Sequence, residues 1–306
     1  MDSSLKTIIN AVFISLNKKV ISTEQVIGHG SVNQIFIVTT ETEKLVIRLN
    51  HNRGFDEFVK EKWCIEQATN KGVPNPKVFK LGELDGYSYI VQSFLEGVVG
   101  SHAQVDTVAV WREIGKYAKL IHSIPVSGFG LDSSELMEST TNTSVDKWKK
   151  YVAYNIESLT QDDKLLELGA LNNEQSKKVK NIFEELYEKQ FSFGLNHGDL
   201  SLKNVMILPT NKVSIFDWGS AEAQIVPHHD FGEILKSSLK NGSPKFQSFL
   251  QGYGLADEGY KKIEEDIHSL MLLRAIDKLR WAIDKHPIDI PSGVERVKEL
   301  YQLRFS

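Results

Sequence analysis

The feature that most constrains this chain is a change of character at Glu96-Gly97. Before it, from Gln25 to about Leu95, the pattern is rich in strands. After it the pattern is helical, except for one short β island. A chain that segregates strands from helices in this way predicts an α+β fold with a small sheet region and a larger helical region.

The strand-rich part is readable in some detail. Ile35-Phe36-Ile37-Val38 and Leu45-Val46-Ile47 are β-branched runs separated by polar Thr39 to Lys44, which predicts a hairpin. Phe55 to Ala68 carries Phe58, Trp63 and Ile65 on a helix that stops before Gly72 and the Pro74-Asn75-Pro76 breaker. Strands around Val78-Phe79 and Tyr87 to Val91 are split by the turn residues Asp85-Gly86. Beyond Gly97, helices are predicted over Val108 to Ile121, Val145 to Leu159, Asn173 to Tyr187, Tyr260 to Ile283 and Gly293 to Leu303. The β island joins Val205 to Ile207 with Val213 to Phe216 through Pro209-Thr210-Asn211. Residues 1–95 therefore read as one lobe and 96–306 as a second.

Met1 to Val20 has the length of a signal peptide but not its pattern. Leu5, Ile8, Ile9, Val12, Phe13 and Leu16 fall at helical spacing with polar residues between them, which predicts an amphipathic helix. No stretch approaches the roughly 18 consecutive apolar residues of a membrane span. Cys64 is the only cysteine, so no intrachain disulfide forms, and the expected location is cytoplasmic. The net charge of −4 argues against a general nucleic-acid binder, which carries a basic surplus.

The chemistry concentrates in His197-Gly198-Asp199-Leu200-Ser201-Leu202-Lys203-Asn204, followed across the β island by Ile215-Phe216-Asp217-Trp218-Gly219. Transfer of a γ-phosphoryl group needs a carboxylate that orients the attacking hydroxyl and oxygen ligands that hold Mg²⁺ against the phosphates. Asp199 and Asn204 are five positions apart, a loop length that presents a carboxylate and an amide oxygen. Asp217 follows the second island strand, so pairing returns it beside Asn204, and hard Mg²⁺ prefers such oxygen donors. Taken singly, each of these residues also fits an ordinary turn. The ordered set is much more specific than its members.

Upstream, Ile27-Gly28-His29-Gly30-Ser31-Val32-Asn33 lies between strand-like segments. Gly28, Gly30 and Ser31 there let backbone N–H groups approach nucleotide phosphates. Arg48, in Leu45-Val46-Ile47-Arg48-Leu49, supplies a cation for those phosphates, and Glu61 on the following helix is the carboxylate nominated to hold it. At the lobe boundary, the backbone of Ser93, Phe94 and Leu95 is placed to bond an adenine ring.

This ordered set resembles the aminoglycoside phosphotransferase and choline kinase-like family, over nearly the whole chain. The resemblance implies a bilobal, protein-kinase-like fold, with Asp199 as catalytic base and Asp217-Trp218 standing where protein kinases carry Asp-Phe-Gly. Within the family, Leu45 to Leu49 and Ser127-Gly128-Phe129-Gly130 are most similar to the hygromycin B phosphotransferases. Arg48 departs from the lysine most kinases use, and its planar fork never loses its charge. Asp230 in Pro227-His228-His229-Asp230 best matches the family's next acidic position, with an implied role in bracing the catalytic loop. His122 resembles a recurring helix end, which implies a structural role.

The activity this implies is transfer of phosphate from ATP or GTP, with Mg²⁺, to a hydroxyl of a small molecule such as an aminoglycoside antibiotic. An amino alcohol or sugar as acceptor, or a catalytically silent nucleotide-binding protein, would show much of the same pattern. Only thirteen positions separate Asp217 from Asp230, with no Ala-Pro-Glu between them, which disfavours a protein kinase. His228-His229-Asp230 read as a separate metal site lacks an evident further ligand. The helix from Tyr260 carries Glu264, Glu265, Asp266, Asp277 and Trp281, an acidic and aromatic wall for a cationic acceptor. Lys261, Lys262, Lys278 and Arg280 on that helix favour a solvated face instead.

Overall fold

The computed structural model describes residues 3–27, 33–51, 54–137, 143–210 and 212–305. The chain opens with helix α1 (Ser3–Ile14) and strands β1 (Val20–Val26), β2 (Gln34–Thr40) and β3 (Lys44–Asn50). Helix α2 (Phe55–Asn70), strands β4 (Val78–Leu84) and β5 (Tyr87–Ser93), and the two-residue β6 (Val98–Val99) follow. Helices α3 (Val108–His122), α4 (Ser133–Leu136), α5 (Ser144–Glu157), α6 (Lys164–Glu167) and α7 (Asn173–Glu188) lead to β7 (Phe193–Asn196). Then come β8 (Val205–Ile207), β9 (Val213–Ile215) and β10 (Glu222–Ile225), and helices α8 (His228–Ser237), α9 (Pro244–Tyr253), α10 (Asp257–Lys285) and α11 (Ile290–Phe305).

These elements form two compact units. The first comprises Met1–Thr107 with Leu202–Ala221, and the second Val108–Ser201 with Glu222–Ser306.

In the first unit an antiparallel sheet runs in the order β1-β2-β3-β5-β4. Successive strand residues point to opposite faces, so Leu45, Ile47 and Leu49 share one face while Arg48 takes the other. The apolar face packs on α1, whose Leu5, Ile8, Ile9, Val12 and Phe13 are buried together with Phe36, Val38, Tyr89 and Val91. Helix α2 starts with Asp56 and Glu57 in its first turn, where negative charge suits the helix dipole. It ends at Gly72, whose φ of 89° is left-handed. The β8–β9 hairpin adds to β6 in a second small sheet, with Val98 opposite Ile207 and Val205 opposite Ile215. Gly97 permits that junction, because a Cβ there would collide with the Ile207 carbonyl oxygen.

The second unit is helical around the short β7–β10 pair, in which Asn196 faces Glu222 and Phe193 faces Ile225. Its core joins Trp148 and Val152 of α5 and Phe183 of α7 with Leu272, Ile276 and Leu279 of α10 and Val297 of α11. Helix α7 opens on a capping box: the Asn172 side chain accepts from the Gln175 N–H, and the Gln175 side chain from the Asn172 N–H. Arg280 is no solvated cation, contrary to its sequence reading. It donates to both oxygens of Asp163, at 3.0 and 2.6 Å, and Asp163 also caps α6 through the Leu165 N–H.

Candidate active site

Strand alternation turns Arg48 away from the α1 core, on the sheet face opposite Ile47 and Leu49. There Nη1 donates to Glu61 Oε1 of α2, and Nη2 lies 3.7 Å from Asp217 Oδ1. The Phe58 ring, one helical turn before Glu61, stands 5.7 Å from the guanidinium carbon. Burial works against the Arg48 charge, yet Glu61 and Asp217 outweigh it and hold its pKa above the ordinary arginine value. The three members differ in access: the Arg48 and Glu61 side chains are 11% and 3% exposed, that of Asp217 is 53%.

Asp217 sits on a strained backbone, with φ 63° and ψ 68°. A non-glycine residue in this left-handed region costs about 1–3 kcal/mol and persists only where its surroundings fix it. They do so on both sides. The Phe216 N–H donates to the Asn204 carbonyl at 3.0 Å, and the Ile215 N–H to the Pro74 carbonyl at 2.9 Å. After Asp217, the fully buried Trp218 donates its indole N–H to Asn75 Oδ1 at 2.9 Å. Asn204 and Asp217 thus flank one hairpin, which carries a buried amide side chain and a half-open carboxylate. Such a donor set fits a hard cation that retains water and phosphate ligands. Among the described residues no group of three or more His, Cys, Asp or Glu side chains could hold a metal, and His228-His229-Asp230 forms no such cluster.

In the second unit, β7 delivers His197-Gly198-Asp199 directly after Asn196. Gly198 has φ 76°, a conformation that favours glycine. The loop backbone is held by Asp230: Oδ1 accepts from the Gly198 N–H at 2.9 Å and Oδ2 from the His197 N–H at 3.0 Å. His122 Nε2 lies 3.0 Å from the same Oδ2, and its Nδ1 lies 3.0 Å from the Tyr253 hydroxyl. An ionised carboxylate only accepts, so the ring nitrogen facing it donates. Burial opposes ionisation of Asp230, but the hydrogen bond and field of His122, with His229 and His197 nearby, hold its pKa well below the usual carboxylate range. Both structural roles implied for Asp230 and His122 are thereby realised.

The same unit contains a cavity of about 730 Å³ lined by residues of α5, β10, α8, α10 and α11. Glu222 projects there from β10, with Oε1 2.9 Å from Arg274 Nη2 and 2.9 Å from His229 Nε2. Burial raises the Glu222 pKa, but His229 and Arg274 more than offset it and pull it down to about 2. Of the residues singled out on α10, Asp277 lines the cavity and bonds Tyr151. Glu264 and Glu265 lie outside it, and Trp281 is exposed and stacks on His286.

Gly28, Gly30 and Ser31, like Asn211, lie outside the described residues. Ser93 ends β5, where its N–H donates to the Lys77 carbonyl at 2.8 Å. The Ser93 N–H is thereby taken within the first unit. Several contributors escape sequence reasoning. Asn75 reads only as part of a helix breaker, and Lys60, whose ammonium donates to the Gly219 carbonyl at 3.2 Å, only as a helix cation. Glu222, Arg274 and Tyr151 carry no local signal at all.

Known proteins resemble this chain in sequence and in fold. A probable ketoamine kinase of Staphylococcus aureus is 27% identical over 202 residues, 62% of this chain and 66% of that protein, so the match spans just under two thirds of the relative. An uncharacterized Staphylococcus aureus protein from the ileS 3′ region is 30% identical over 107 residues, 34% of this chain and 77% of its own length. Among solved structures, the aminoglycoside phosphotransferase APH(4)-Ia superposes with a TM-score of 0.69 at 16% identity, covering 98% of both chains. The GDP and kanamycin complex of APH(2″)-IIia gives 0.69 at 18% identity, covering 99% of this chain and 100% of that one. The kinase-like α+β fold expected from the sequence is therefore the one observed. The sequence pattern of the phosphotransferase enzyme family (APH) matches residues 23–265, most of the chain, and the protein belongs to that family.

Proposed function

We propose that this chain is a small-molecule kinase that transfers the γ-phosphoryl group of ATP or GTP to an acceptor hydroxyl. The observation that carries the reading is the buried Arg48–Glu61 pair with a half-open Asp217 beside it. Burying two charges is costly unless they are paired, and leaving a third ionic group open makes sense where a further charged partner binds. Arg48 bonds the nucleotide phosphates and Glu61 fixes the direction of its fork. The backbone at Gly28, Gly30 and Ser31 cradles the phosphates, and that of Ser93 to Leu95 takes the base, with the Ser93 N–H itself held by the Lys77 carbonyl.

Asn204 and Asp217 are the residues that would hold Mg²⁺, which when bound neutralises charge on the phosphate oxygens. Asp199 orients the acceptor hydroxyl and takes its proton as the new P–O bond forms and the bond to the leaving nucleoside diphosphate breaks. Asp230 and His122 keep the loop that carries Asp199 in place. A cytoplasmic location belongs to the same proposal, with the lone buried Cys64 as its support. Among the described residues no helix is long and apolar enough to cross a membrane.

For the acceptor, we assign the cavity of the second unit. Glu222 in its wall pairs across the strands with Asn196, three positions before Asp199. Solved relatives bind kanamycin and hygromycin B, which suggests an aminoglycoside, whereas the Staphylococcus aureus relative suggests a ketoamine. The cavity's charges favour the second. Glu222, Glu233, Asp277 and Asp289 are matched by Lys236, Arg274, Lys278 and Arg296. A polycation would meet as many cations as anions there, so a neutral or zwitterionic polyol is the better fit.

The test is nucleoside diphosphate release with ATP or GTP against matched panels of aminoglycosides, ketoamines, sugars and amino alcohols. Turnover with a ketoamine, which carries a single amine among its hydroxyls, or with a neutral polyol is the expected result. Selective turnover with aminoglycosides would contradict the acceptor assignment, and none with any acceptor would favour a silent nucleotide-binding protein.

A further inference from the structure

The backbone around Asp217 is fastened from outside its own hairpin, at two positions before it and two after. Ser214 Oγ and the Ile215 N–H both donate to the Pro74 carbonyl, at 3.1 and 2.9 Å. The Trp218 indole donates to Asn75 Oδ1 at 2.9 Å, and Gly219 accepts from Lys60 Nζ at 3.2 Å. Every anchor comes from α2 or the short connection that follows it, within the first unit.

The two side-chain anchors are themselves fixed. Asn75 Nδ2 donates to the Val73 carbonyl at 2.8 Å and lies 3.4 Å from Thr69 Oγ1. An indole N–H can only donate, so Asn75 must turn its oxygen to Trp218 and its nitrogen to Val73. Lys60 is only 5% exposed, and burying a polar group is costly unless it is hydrogen-bonded. Its neighbour Glu61 holds Arg48, so adjacent residues of α2 grip the cation of the site and the segment of Asp217.

We propose that Asn75 and Lys60 are positioning residues for the metal-binding carboxylate: they hold the left-handed turn at Asp217 in the conformation that presents its oxygens to a divalent cation. The inference rests on the reading that Asp217 holds the metal. Neither residue touches metal or nucleotide. Each acts on the residues immediately after Asp217, which would otherwise relax from a backbone region that a non-glycine residue leaves readily. Partners of this outer kind typically change metal affinity by about 10–100-fold when removed.

The experiment measures Mn²⁺ binding to the full chain saturated with a non-hydrolysable ATP analogue, by titration calorimetry well below the melting temperature, so that no turnover enters the readout. Asn75→Ala and Lys60→Met are each expected to weaken Mn²⁺ about tenfold. Asn75→Asp, which keeps an acceptor for Trp218, and Lys60→Arg, which keeps a donor for Gly219, are expected to recover most of it. Lys60→Met retains the aliphatic stem, so it serves if Asn75→Ala does not fold. Asp217→Ala is the control. If Asp217→Ala loses Mn²⁺ while Asn75→Ala and Lys60→Met bind it as the wild type does, the positioning role is overturned. If Asp217→Ala itself binds Mn²⁺ normally, the metal assignment fails and the inference falls with it.

Discussion

In the first unit Arg48 and Glu61 are buried, while Asp217, the third member of their set, leaves about half of its side chain open. In the second unit Asp230 is wholly buried, and both its oxygens are taken by backbone N–H groups and His122. Both carboxylates follow a β-strand by a few residues, and apart from the family resemblance nothing local in the sequence ranks them. The destination of their lone pairs does. A carboxylate whose acceptor sites are consumed internally is part of the scaffold. One held at a single oxygen beside a buried cation retains acceptor sites for a partner from outside.

The sharpest way to strain this contrast is through the residue braced by the scaffold. Asp199→Ala is expected to lower kcat by about 10²–10⁴-fold, the loss typical of a positioned base, with the melting temperature nearly unchanged. Normal turnover in that variant would remove Asp199 from the mechanism. Asp230→Ala is expected to act through stability instead. It leaves His122 and two loop N–H groups without their acceptor, a loss of about 3–5 kcal/mol by analogy with other broken buried pairs, readable by urea denaturation. A mild effect would mean the brace is redundant.

Acid separates the groups further. Burial lowers the His228 pKa from 6.5 to about 4, with nearby Asp266 opposing the shift. Between those values the unfolded chain binds a proton that the folded chain refuses, so stability present at neutral pH is lost as pH falls through this window. The loss approaches about 3 kcal/mol. His228→Phe should flatten the melting temperature between pH 6.5 and 4. The contribution of Asp230, whose pKa is depressed, is present above the ordinary carboxylate range and lost only below it. An unchanged profile in the His228 variant would contradict the burial argument. The smallest effect is local: Asn172→Ala removes one side of the α7 capping box and should cost about 1 kcal/mol by urea denaturation.

Legibility in the sequence followed the range of the interactions. Helix α1 was readable because Leu5, Ile8, Ile9, Val12 and Phe13 repeat at helical spacing, and all five are buried. The Arg48–Glu61 pair was readable because the family that the ordered set resembles implies a cation on that strand and a carboxylate on the following helix. Strand β1 lies at a sheet edge with mostly exposed residues, so it carries no buried face to announce it. Helix α8 hides for the opposite reason: His228 and Asp230, polar by type, are part of its buried face because distant partners satisfy or tolerate them there. Lys60 and Asn75 meet their partners 159 and 143 positions away, beyond the reach of any local pattern.

The most direct test sets the two carboxylates side by side as Asp217→Asn and Asp230→Asn, which change charge with little change of shape. Each variant is measured for Mg²⁺-dependent nucleotide affinity and for thermal stability. The expected result is a crossed pattern: Asp217→Asn loses the Mg²⁺-dependent part of nucleotide binding and melts near the wild type, while Asp230→Asn melts well below it. Wild-type Mg²⁺-dependent affinity in Asp217→Asn would contradict the assignment of that open carboxylate to the nucleotide's metal.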